Sequence, residues 1–194
     1  MSYFGGGALL AAIALVLMPR GMEHSSVLLA SFAFALGGLA FWQFSSWAMR
    51  TQNMASQFMG MVLDFFPEAI LLGVAAAHDS SVVYLLAALI ALQNMPEGFA
   101  AHHEMRKSGI SGGHLWTMFL LAPFLGPLAA WIGFAWLSGN NETLAFVLLF
   151  CSGGILYLIF EDIAPGARIK HKSFPAMGAI LGFVLGMAGT MMIH

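Results

Sequence analysis

The chain has 194 residues, 60% of them hydrophobic and only 8% charged, with a net charge of -2. Soluble domains carry about 25% charged residues, so these proportions exclude a water-soluble globular protein and point to an all-α, polytopic transmembrane helical bundle. The seven Lys and Arg residues form no basic face for nucleic acid, and a single cysteine, Cys151, excludes a disulfide or a cysteine-based metal centre within the chain.

A spanning helix needs roughly 20 mostly apolar residues. Seven stretches meet that description, at residues 3–18, 25–47, 56–77, 81–105, 115–137, 143–163 and 174–193. The first is short for a complete span and stops before Pro19. Connections are tight, so residues 1–194 read as one transmembrane domain with antiparallel neighbouring helices. The opening Met-Ser-Tyr-Phe-Gly-Gly-Gly has no charged n-region, and no cleaved leader is expected.

The basic residues set the orientation. Arg50, Arg106, Lys107, Arg168, Lys170 and Lys172 fall in loops on the same side as the N-terminus, and only Arg20 falls on the other. By the positive-inside rule the N-terminus and those loops are cytoplasmic, in a plasma membrane, with His194 outside.

Glycines mark close helix contacts. Gly178, Gly182 and Gly186 repeat every fourth residue in the last span, and Gly37-Gly38 and Gly153-Gly154 form comparable pairs. Cys151 reads as a small buried hydrophobe, and the 14 methionines read as gap-filling apolar residues, without the one-sided cluster of a thioether copper path. Asn140-Asn141-Glu142 reads as an external turn that caps the sixth span.

Polar residues concentrate in the third and fourth spans. Asp64-Phe65-Phe66-Pro67-Glu68-Ala69 and Gln93-Asn94-Met95-Pro96-Glu97-Gly98 each place a carboxylate four residues after a metal-capable donor. On a helix that spacing stacks Asp64 with Glu68, and Gln93 with Glu97, on one face. Proline deprives the carbonyl four residues earlier of its partner, at Leu63 and Leu92, so backbone oxygens can join the side chains. Three carboxylates at low dielectric cannot all stay ionised without a partner. No Lys or Arg lies at that depth, so a dication or a proton must neutralise them.

These two segments resemble the ZIP (Zrt/Irt-like) family of divalent metal transporters. Its members carry His-Asn-x-Pro-Glu-Gly in one helix and His/Gln-Asn/Asp-x-Pro-Glu-Gly in the next. Gln93 to Gly98 is similar to the second motif almost residue for residue, and Asp64 to Ala69 is a diverged form of the first. Ala122-Pro123-Phe124-Leu125-Gly126 and Glu161-Asp162-Ile163-Ala164-Pro165 resemble later family segments. The resemblance implies that the seven spans correspond to the second to eighth helices of the family, with the first absent. It also implies inward transport of a divalent transition metal (zinc, iron or manganese) as substrate, and a homodimer.

The departures narrow the ligand set. Asp64 stands where the family has histidine, Phe65 replaces asparagine, and Pro123 occupies the place of a bridging glutamate. One site of Asp64, Glu68, Gln93 and Glu97 is expected in place of a binuclear centre, and its all-oxygen donors favour manganese or iron(II) while still admitting zinc. Asn94, His102, His103 and Glu161 are candidates for a secondary position or exit path. His102 also reads as a solvated interfacial histidine, and Glu161 and Asp162 also read as partners of Arg168 and Lys170. Expected partners are the lipid bilayer and metal ions, with no organic cofactor. Two other readings stay open: a non-transporting relative that only binds metal, and a membrane-embedded metallohydrolase, which would want a mid-membrane histidine.

Overall fold

The computed structural model describes residues 2–50, 55–78, 80–107, 109–163 and 174–193. No strand occurs among the described residues, and helical segments group into seven consecutive rods. They are α1 (residues 2–23), α2 (Val27–Arg50), α3 (Ala55–His78), α4 (Ser80–Lys107), α5 (residues 112–137), α6 (residues 141–163) and α7 (Phe174–Ile193). Each coincides with an expected span to within a few residues at either end, apart from a longer α1.

At a rise of ~1.5 Å per residue, a 24-residue helix such as α2 exceeds the ~30 Å hydrocarbon core of a bilayer. Among the described residues four helices are long and apolar enough to cross a membrane, namely Tyr3–Glu23, Val27–Trp47, Gly112–Leu137 and Asn141–Glu161. Two shorter apolar helices, Phe65–Ala77 and Ala176–Met192, accompany them. The chain is an integral membrane protein.

The first rod differs from its expected end at Met18. It continues through Pro19 to Glu23, because the stretch Ile13–Leu17 is a π turn in which the Met18 N–H bonds to the Ile13 carbonyl. That wider turn shifts the carbonyl register just before the proline, so the ring meets no carbonyl of a regular α-turn and the helix survives. Pro123 is absorbed differently, in a tight 3-10 turn at Ala122–Phe124 within α5. Pro67 lies inside an α3 that remains continuous through it.

Helix ends are formed by local polar chemistry. Asn140 caps α6, its Oδ1 accepting from the Thr143 N–H at 3.0 Å, as the sequence suggests. Ser26 caps α2 through Oγ and the Leu29 N–H at 3.3 Å. After α4, Gly109 adopts φ 86°, the left-handed region that glycine enters without a Cβ clash. The Gly109 N–H reaches back to the Arg106 carbonyl and the Ile110 N–H to that of Met105, a Schellman ending.

The chain divides into two compact units, Met1–Gln43 with Asn140–His194, and Phe44–Gly139. In the first, α1 lies on α7 and, through its end Met18–Glu23, on α6, α2 approaches α6 at Gly37 and Gly153, and Ile13, Leu17, Leu148, Leu149, Ser152 and Ile155 are fully buried. The α6 stretch Asn141–Glu161 is 56% buried against 17% for Val27–Trp47, so α6 is the central helix of this unit. Several helix contacts in this unit are backbone on backbone. A Cβ on Gly37 would strike the Phe150 carbonyl, one on Gly153 the Phe34 carbonyl, and one on Gly182 the Phe4 carbonyl. Thus Gly182, Gly37 and Gly153 do permit close approach, and Cys151 of α6 is buried.

In the second unit α3 packs on α5 in the same manner. Gly73 lies against the Ala130 backbone and Gly133 against that of Ile70. The opposite side of α5 exposes Trp116, Leu120, Phe124, Leu128, Trp131 and Trp136. From Trp116 to Trp136 the helix climbs ~30 Å, the hydrocarbon thickness, so these tryptophans sit where an aromatic belt would lie at each interface.

Candidate metal site

Glu68 follows Pro67 near the middle of α3 and is one of two buried polar side chains among the described residues, at 4% exposure. A carboxylate at that depth is costly unless something binds it. Asn94 from α4 does so: its Nδ2 donates to Glu68 Oε2 at 2.7 Å. The same nitrogen donates to the carbonyl of Ile90, one turn earlier in α4, at 2.9 Å. The two proline-glutamate segments therefore meet, joined by a hydrogen bond between residues 26 apart in sequence.

Asp64, Gln93 and Glu97 lie on α3 and α4, but their side chains fall outside the described residues. On the helical repeat Asp64 precedes Glu68 by four residues on α3 and Glu97 follows Asn94 by three on α4, spacings that share a helix face. Among the described residues, no three His, Cys, Asp or Glu side chains gather as a metal-holding group.

Phe65 has a role that its sequence position did not disclose. Its ring covers Gly126 of α5, so closely that a Cβ on that glycine would lie 2.5 Å from Phe65 Cζ. The phenyl group thus fills the space between α3 and the segment that carries Pro123.

His102 is half-buried rather than fully solvated. Its ring meets Phe119 edge-on at 5.5 Å and 74°, and Trp116 at 6.2 Å and 61°, both from α5. Such T-shaped contacts place the positive edge of one ring on the negative face of another. His103, the next residue, is exposed.

Glu161 belongs to the other unit. It ends the Asn141–Glu161 span and lines an open cleft of about 520 Å³ with Gly153, Leu156, Tyr157 and Phe160. Its Oε2 is buried and, among the described residues, has no hydrogen-bond partner. The expected partners Arg168 and Lys170 lie outside the described residues.

No protein-family model matches the chain. Among curated proteins it is similar to "Zinc transporter GufA" of Myxococcus xanthus, with 31% identity over 131 residues. That alignment covers 66% of this chain and 52% of the relative, so the chain spans about half the length of the curated protein it matches.

Proposed function

We propose that the chain belongs to the ZIP family and moves a divalent transition metal, zinc, iron or manganese, toward the cytoplasm. The observation that carries this reading is the buried Glu68 of α3 held by Asn94 of α4. It brings together the two segments whose donors, Asp64, Glu68, Gln93 and Glu97, constitute the metal site of this reading. Similarity to a protein named a zinc transporter supports the substrate class, and the apolar helices support a membrane location.

The mechanism follows from the donors. An arriving dication exchanges water for carboxylate and amide oxygens, in a region where three acids otherwise repel one another. A few oxygen donors bind firmly enough to remove water yet weakly enough to release. The ion then leaves toward His102 and His103 at the basic, cytoplasmic end of α4. Phe65 over Gly126 favours a single site over a pair of bridged ions. The same substitution supports a second reading, a relative that binds metal without transporting it.

Metal uptake into proteoliposomes separates the two. Wild-type chain should accumulate zinc or manganese, while Glu97→Gln and Asp64→Ala lose most of that flux. Equal flux in all three proteins rejects the site. Saturable binding without flux in the wild type selects the non-transporting relative, and lipid or peptide hydrolysis without flux selects an enzyme.

A further inference from the structure

We propose that the cleft at the end of α6 holds the headgroup of a phospholipid that carries a primary ammonium, with Glu161 as its anionic anchor. Two polar side-chain atoms of this unit are buried and have no hydrogen-bond partner among the described residues, Glu161 Oε2 and the hydroxyl of Tyr3. They lie at the same end of the unit. The stretch Met18–Glu23 of α1 packs on Asn141–Leu158 of α6, while Ser2–Ala12 packs on Ile159–Ile163. The two helices are therefore antiparallel, and the start of α1 lies beside the end of α6. Glu161 belongs to a π turn, Ile159–Ile163, and single π turns recur at functional sites. A buried carboxylate or hydroxyl oxygen without a partner is costly, so a chain that keeps both calls for an occupant.

Depth and shape define that occupant. The span Asn141–Glu161 has 21 residues, which at ~1.5 Å each matches a hydrocarbon core of ~30 Å and puts Glu161 at headgroup level. Gly153, Leu156, Tyr157, Phe160 and Glu161 recur at helical steps, so the cleft of about 520 Å³ runs along one face of α6 and is largely apolar until it reaches the carboxylate. Phe160 is exposed beside Glu161, where an acyl chain meets its ring. The fitting ligand thus combines a hydrocarbon body with a cationic head. An ionised carboxylate only accepts hydrogen bonds, whereas a phenol can donate one. A zwitterionic headgroup satisfies both, its ammonium donating to Glu161 and its phosphate or ester oxygens accepting from Tyr3. A primary ammonium has three N–H donors and the quaternary ammonium of choline has none, so charge-assisted hydrogen bonding favours ethanolamine. This use of Glu161 is independent of the metal reading of α3 and α4.

The test is native mass spectrometry of the full chain released from nanodiscs of phosphatidylcholine mixed with phosphatidylethanolamine or with phosphatidylglycerol. Wild-type protein should retain phosphatidylethanolamine over both other lipids. Glu161→Gln keeps the size and removes the charge, and should cut the preference for ethanolamine over choline by about tenfold, the contribution of one hydrogen bond to a charged group. Tyr3→Phe should lower retention of both lipids and leave the preference, because both carry the phosphate. Unchanged retention in Tyr3→Phe removes the hydroxyl from the site. Equal retention of all three lipids by the wild type marks ordinary surrounding lipid and overturns the proposal. So does a preference for phosphatidylglycerol, which would assign selection to basic residues. A Glu161→Gln protein with a lowered thermal midpoint in every lipid but an unchanged preference overturns it too, and makes Glu161 a partner of Arg168 or Lys170. If Glu161→Gln fails to fold, wild-type protein is compared on monomethyl and dimethyl phosphatidylethanolamine. Retention should fall as N–H donors are lost, and retention that stays level rejects the site.

Discussion

Helices α2 and α6 meet through glycines, backbone against backbone, whereas α3 and α4 meet through an amide and a carboxylate. Both interfaces lie in an apolar membrane protein, where lipid is as good a solvent for leucine as another helix is. The first therefore gains from close van der Waals approach and carries no chemistry. The second leaves an acid at membrane depth with a polar partner, an arrangement that packing alone does not require. The two interfaces thus differ in the kind of contact, and on the proposed reading only the second bears on function.

A change at Gly37 tests the first half of that contrast and has the largest expected effect. Gly37→Ala puts a methyl group into the Phe150 carbonyl, which belongs to the central helix α6 and cannot rotate aside as a side chain can. Overpacking of this kind costs roughly 1–3 kcal/mol or more, and the yield of monodisperse protein and its thermal midpoint should both fall. A midpoint equal to that of wild type means the two helices stand farther apart than their glycines indicate.

The second half is tested at Glu68. Glu68→Gln keeps the shape and an acceptor for Asn94 but removes the charge. Uptake or metal affinity should drop by at least about tenfold, while the thermal midpoint stays near wild type. A protein that loses stability but keeps its affinity would make Glu68 a packing residue and erase the distinction between the interfaces.

Asn140 offers a smaller and purely local effect. Removing its cap on α6 with Asn140→Ala leaves the Thr143 N–H without its side-chain acceptor. The expected cost is about 1 kcal/mol, read as a modest drop in thermal midpoint with metal binding unaltered.

Much of this arrangement was legible in the residues because it depends on local periodicity and composition. The seven rods follow from apolar runs, the Asn140 cap from the turn Asn140-Asn141-Glu142, and the close contacts from glycine pairs. What escaped notice depends on geometry that spacing does not encode. Pro19 suggested an early end to α1, but the π turn Ile13–Leu17 ahead of it lets the helix continue to Glu23. Phe65 looked only like a missing ligand, since nothing in its own segment shows that its partner is Gly126 of a helix two spans later. The aromatic setting of His102 likewise comes from Trp116 and Phe119 across the connection. Asn94 was visible as a donor beside Gln93, but its direction toward Glu68 required the fold.

The finest test of the contrast compares adjacent glycines in the same helix. Gly38 follows Gly37 in α2, yet a Cβ there would meet nothing nearer than the Gly153 carbonyl at 3.6 Å, an ordinary contact. Alanine restricts the unfolded chain and has the better helix propensity, a difference of roughly 0.5–1 kcal/mol in its favour. Gly38→Ala should therefore be neutral or slightly stabilising, with the thermal midpoint at or just above wild type. Equal damage at both positions would mean that α2 is rotated relative to α6 and that Gly38 shares the contact. Damage at Gly37 alone ties the close approach to one face of one helix, as expected when a backbone carbonyl is the obstacle.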